Sequence, residues 1–194
     1  MRFSKKSARL LLISIFIFVA GCASEPRQLT QAELEDPNRS IVFGYFDMQD
    51  ASTKLDEVSI KQYSSSPLYF SAGIKDGMFF RFYLLPGSYQ VDTFTGASGI
   101  FGGDTTRYHY GSEGRNDTAI HIQKPGVYFL GAYRYVKHDQ GWFKNDKFEM
   151  KPIQSPSERE LLQKLIVIVE GYGNSVPTRM KLDMLKKRLA ELRN

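Results

Sequence analysis

One thiol and three imidazoles are the side chains best suited to covalent or metal chemistry in this chain: Cys22, His109, His121 and His138. The patterns that hydrolysis commonly uses are missing. There is no His-Glu-x-x-His and no Ser-x-x-Lys, and Gly96-Ala97-Ser98-Gly99 falls one residue short of Gly-x-Ser-x-Gly. His109 and His121 flank the turn-rich stretch Gly111 to Asp117. Folded as a hairpin about Gly114, that stretch makes them diagonal neighbours on one sheet face, where they could share a metal with Asp104, although no further ligand is evident. Solvent-facing histidines on a strand are the plainer reading, so no metal or cofactor is expected. Gly96 to Asp104 offers glycine amides to an anion, yet lacks the lysine and following helix of a phosphate loop, and reads as a flexible inter-strand loop.

Cys22 stands in Phe18-Val19-Ala20-Gly21-Cys22-Ala23-Ser24, after a basic head (Arg2, Lys5, Lys6, Arg9) and the apolar run Leu10 to Ala20, in which only Ser14 is polar. This is the layout of a secretory signal. As a helix the run reaches about half of a hydrocarbon layer roughly 30 Å thick, so a membrane span is disfavoured. The Val-Ala-Gly-Cys ending resembles the lipobox of bacterial lipoproteins. The resemblance implies cleavage before Cys22, a diacylglycerol on its thiol and an acyl group on the new amine. Three chains make stable anchoring where a single chain is marginal. Acylation also leaves no thiol nucleophile. Ala23, where an Asp would favour inner-membrane retention in such lipoproteins, favours an outer-membrane location facing the periplasm. The competing readings are an ordinary signal peptide with an incidental cysteine, or a free buried thiol.

The formal charge of +5 overstates the basic character of the mature chain. Removing Arg2, Lys5, Lys6 and Arg9 brings the 26 Lys and Arg down to 22, against 21 Asp and Glu. No global basic surface points to nucleic acid. The remaining excess is C-terminal, at Arg179, Lys181, Lys186, Lys187, Arg188 and Arg193. Fourteen Phe, eleven Tyr and sixteen Gly lean toward strands and turns.

Four segments follow. Residues 1–21 read as the signal, 22–39 as acylated cysteine and flexible tether with a brief helical turn near Gln31 to Glu35, 40–152 as the β domain, and 153–194 as a helical hairpin. The β segment offers runs at Ile41–Phe46, Val58–Tyr63, Leu68–Ala72, Met78–Leu84, Ser88–Phe94, Thr106–Tyr110, Thr118–Gln123, Val127–Val136 and a weaker one ending at Met150. Val58 and Ile60 share one face of theirs; Phe80, Phe82 and Leu84 are assigned to one face and Phe79, Arg81 and Tyr83 to the other. The expected fold is mainly β, an antiparallel β-sandwich of about eight to nine strands with a barrel as its rival, followed by the helical hairpin.

Ser157 and Glu160 fit a capping box, and Leu161, Leu162, Leu165, Ile166 and Val169 make the stripe of the first helix. Leu182, Leu185, Leu189 and Leu192 make that of a second, from Thr178 to Leu192. Leu85-Pro86-Gly87-Ser88-Tyr89 and Lys124-Pro125-Gly126-Val127-Tyr128 resemble the Pro-Gly-x-Tyr turns of transthyretin-like and carboxypeptidase-regulatory-like sandwiches, which implies a largely non-catalytic fold.

Binding candidates are the loop residues Ile100 and Phe101, and the aromatics Tyr108, Tyr110, Tyr133, Tyr135 and Trp142 as a sugar or peptide platform, with core packing the plainer reading of most of these rings. Leu185, Leu189, Lys186, Lys187 and Arg188 are candidates for contact with an envelope partner or, with Lys181, anionic lipid, a solvated helix face being the plainer reading of the charges. The expected function is a lipid-anchored envelope lipoprotein with a non-catalytic binding or structural domain. An accessory subunit docking through its C-terminal helices comes second, and a metal-dependent or glycan-cleaving hydrolase third.

Overall fold

The computed structural model describes residues 29–51, 53–98, 104–110, 117–138 and 147–192. A single turn, α1 (Gln31–Leu34), precedes the strands β1 (Ser40–Asp47), β2 (Lys54–Tyr63), β3 (Leu68–Ser71), β4 (Gly73–Lys75), β5 (Met78–Leu84), β6 (Gly87–Ser98), β7 (Asp104–His109), β8 (Ile120–Ile122), β9 (Val127–His138) and β10 (Lys147–Pro152). Two helices close the chain, α2 (Glu158–Glu170) and α3 (Val176–Glu191). The protein is mainly β, with two sheets and a C-terminal helical pair. The first sheet has the order β10-β9-β1-β5-β4; the second is β3-β2-β6-β7, with β8 also on β6.

Two details depart from the expected pattern. The described residues hold ten strands, the extra one being β4, and the first sheet is mixed rather than antiparallel because β1 runs parallel to β9. A parallel pair needs a long crossover, which the whole second sheet provides. β3 and β4 form one passage between sheets: Leu68–Ser71 pairs with β2, the Ala72 amide donates to the Val58 carbonyl at 2.8 Å, and Gly73–Lys75 pairs with β5.

Side chains from both sheets meet in one aromatic core. Val42, Phe46, Phe79, Leu84, Leu130, Tyr133 and Tyr135 come from the first sheet, and Val58, Ile60, Tyr89, Val91, Phe94 and Tyr108 from the second. Phe46 lies at the centre, its ring centroid 4.8 Å from that of Phe79 and 5.1 Å from that of Phe94. Each such side chain contributes about 1.5–3 kcal/mol on full burial. Alternate β1 residues Ile41 and Phe43 point the opposite way, joining Met78 and Phe80 against Leu161, Leu162, Leu165, Ile166, Val169 and Leu185 of the helical pair. Among the described residues, the first sheet is thus covered on both faces and the second on one.

Leu84 was expected beside Phe80 and Phe82 but packs with Phe79 between the sheets. Tyr83 has φ +66, and the ladder shifts from Ser40↔Leu84 to Val42↔Arg81, so one extra residue reverses the alternation.

The helices follow their sequence signals closely. Ser157 caps α2 by accepting from the Glu160 amide while the Glu160 carboxylate accepts from the Ser157 amide at 2.7 Å. The Glu158 carboxylate meets Arg188 Nε and Nη2, each at 2.9 Å, and ties the first turn of α2 to the last of α3.

Residues 31–39 belong to the same compact unit as the strands and the two helices. Arg39 holds them. It donates to the Tyr83 carbonyl at 3.1 Å and to Asp36 at 3.2 Å, and its other nitrogen lies 3.6 Å from Glu33. Leu34, Asp36 and Pro37 line a small cavity with Phe82, Tyr83, Met180, Lys181 and Met184.

Candidate functional site

Four of the sequence-derived candidates, Cys22, Ile100, Phe101 and Trp142, lie outside the described residues. Tyr108, Tyr110, Tyr133 and Tyr135 are all buried in the inter-sheet core, so core packing accounts for these four rings and the platform on them is corrected. Tyr108 stacks on Phe94 at 4.8 Å and meets Phe148 edge-on at 5.2 Å, and Tyr110 stacks on Phe46 at 5.8 Å. Alternation alone left open which tyrosines face water.

The histidine pair is also corrected. β7 and β8 do not form a hairpin; both pair antiparallel with β6, end to end along one edge, His109 opposite Thr93 and His121 opposite Ser88. Five residues of β6 separate those positions, roughly 16 Å. The break between them is spanned by the Tyr110 amide donating to the Asp92 carbonyl and by the Val91 amide donating to Thr118 Oγ1, both at 2.9 Å. Among the described residues, no group of three or more His, Cys, Asp or Glu is placed to hold a metal.

The leucine seam does not form an open surface. Leu185 is 0 % exposed and Leu189 packs against the same cluster, because α3 lies on α2 and the first sheet. Lys186 and Lys187 are exposed, Lys186 lying 3.3 Å from Glu170, while Arg188 is engaged by Glu158. Lys181 sits with its amine 4.7 Å from the Phe82 ring centre and 4.4 Å from that of Tyr83, and burial lowers its pKa. The adjoining cavity, about 20 Å³, has room only for water. A groove of about 500 Å³ runs beside Tyr45, Pro156, Gln163, Lys164 and Val167. Its carboxylate, Glu160, is occupied in capping α2.

The outer face of the second sheet remains. Val58 and Ile60 point inward on β2, so Lys61 and Tyr63 point outward; Tyr89 and Val91 do the same for Ser88 and Gln90 on β6, Phe70 for Tyr69 on β3, and Ile122 for His121 on β8. The register aligns these outward side chains into two adjacent cross-strand rows. One is Tyr69–Lys61–Gln90, the other Tyr63–Ser88–His121.

Both tyrosines are open to solvent, Tyr63 at 50 % and Tyr69 at 57 % exposure. The Lys61 amine stands 5.6 Å from each ring centre and 4.0 Å from Asp92 Oδ1. Ser88 Oγ and His121 Nδ1 are 2.9 Å apart. A serine beside an imidazole is one step of a nucleophilic site, but this pair is exposed, without a carboxylate on the ring or amides aimed at a developing oxyanion among the described contacts. The face sets two flat apolar rings among donors and acceptors. The sequence signal was the alternation about Val58 and Ile60, which put Lys61 and Tyr63 outward; the row itself needs the strand register.

Among the described residues, no helix is long and apolar enough to cross a membrane. No protein-family model, no curated protein and no solved structure matches the chain.

Proposed function

We propose that this chain is a lipid-anchored envelope protein whose β body, read as a β-sandwich, binds its ligand on the open face of the second sheet without catalysis. The observation that carries the reading is the pair of rows Tyr69–Lys61–Gln90 and Tyr63–Ser88–His121, set on the one sheet face left uncovered by another layer among the described residues. The sandwich is supported by the core the two sheets share and by the paired Pro-Gly-x-Tyr turns, each closed by its own tyrosine hydroxyl.

The anchor rests on the Val19-Ala20-Gly21-Cys22 sequence. Cys22 stands only nine residues before Gln31, where the compact body begins, a reach of about 30 Å at full extension. The alternative of docking through the leucine seam loses support with Leu185 in the core.

Two measurements test the reading. Mass spectrometry of the N-terminal peptide from membranes should find acylated Cys22, and Cys22→Ser should release the protein from them; a bare thiol in membrane-free material overturns the anchor. In amide spectra, solubilised envelope polymers should shift resonances of β2, β3, β6 and β8. Changes confined to the helical pair overturn the binding face.

A further inference from the structure

Resting on that reading of the face, we infer that its ligand is an uncharged glycan, a run of linked pyranose rings lying across β3, β2, β6 and β8. Tyr63 and Tyr69 are half exposed, and an aromatic ring face suits the C–H side of a pyranose while hydroxyls at the ring edge stay wet. Around them the hydrogen-bonding groups are of both kinds. Lys61 donates, Asp92 accepts, Gln90 does either, and the Ser88–His121 pair offers a hydroxyl and an imidazole. A polyol, donor and acceptor at every hydroxyl, matches a mixed set of this kind.

Charge selects against the other ligands that stack on aromatics. The Lys61 cation lies 4.0 Å from the Asp92 carboxylate, so the two balance within the face. A nucleic acid or a phosphate-rich polymer would need several cations aligned along its backbone. Shape selects for a chain. The face is a sheet surface, and three strand spacings from β3 to β8 span about 14 Å, long and shallow where a single small molecule needs a concave pocket. Lys61, at 5.6 Å from both ring centres, restrains the tyrosines before any ligand arrives.

The test uses the full lipoprotein in a detergent without sugar headgroups, titrated by amide spectroscopy with tetramers of N-acetylglucosamine, β-1,4-linked glucose and α-1,4-linked glucose. At least one should bind saturably with shifts on β2, β3, β6 and β8. Tyr69→Ala and Tyr63→Ala should each weaken it about tenfold with unchanged melting temperature, while Tyr172→Ala, an exposed ring between the helices, should not. Gln90→Ala, which leaves both rings in place, should also weaken binding and serves if a tyrosine variant melts early. Binding to none of the three tetramers, affinity indifferent to all three face substitutions, or displacement by an oligothymidylate overturns the glycan assignment. Shifts on these strands with whole envelope polymers, but with none of the tetramers, reject the glycan and keep the binding face.

Discussion

The Tyr89 hydroxyl donates to the Leu85 carbonyl at 2.8 Å, four residues back across Pro86-Gly87, and Tyr128 repeats the relationship with Lys124 at 2.7 Å across Pro125-Gly126. Each bond closes the turn that launches a strand, β6 in one case and β9 in the other. The surroundings differ. The Tyr89 side chain is 1 % exposed and burial raises its pKa, whereas the Tyr128 bond is exposed. Tyr89→Phe should therefore cost about 1 kcal/mol in urea unfolding, and Tyr128→Phe measurably less.

Thr118 is 0 % exposed, and its hydroxyl oxygen takes the Val91 amide where β7 has ended and β8 not yet begun. Thr118→Val keeps the shape and removes the acceptor. The expected loss is about 1–3 kcal/mol, with hydrogen exchange at the Val91 amide accelerating ahead of its neighbours on β6.

Leu185 fills the space between α3, α2 and the first sheet. Leu185→Ala should destabilise the protein by about 2–5 kcal/mol in chemical denaturation, while Lys187→Glu on the exposed side of the same helix should stay within about 0.5 kcal/mol. Equal effects of the two would contradict the burial of α3.

Tyr110 and Tyr133 lie in the inter-sheet core, and burial is the first cause raising both phenol pKa values, that of Tyr110 the more strongly. Unfolded tyrosine ionises near pH 10. With the folded pKa higher, the folded chain holds protons that the unfolded chain releases, so stability is intact below about pH 10 and declines as pH rises beyond it. Alkaline unfolding should coincide with the tyrosinate absorption band, and Tyr110→Phe should make the decline shallower.

Much of the helical pair was legible in the residues: the Ser157–Glu160 box and the Leu161 to Val169 stripe state local chemistry, and both are realised. What escaped depends on partners distant in sequence. Gly73-Ile74-Lys75 is too short to announce a strand and becomes one only by pairing with β5. Gly111 to Asp117 carries turn residues, but composition does not say whether its flanks pair with each other or with a third strand. Leu84 changes face because Tyr83 adopts positive φ, which no alternation rule anticipates. The open face was half legible: Lys61 and Tyr63 pointed outward from their own strand, while Tyr69, Gln90, Ser88 and His121 joined them only through register.

Along one rim of β6 the partners come in series: β7, the Tyr110 amide on the Asp92 carbonyl, Thr118 Oγ1 under the Val91 amide, and then β8. Strand β6 is therefore the common rail on which β7 and β8 are aligned, and a change in its register would displace both at once.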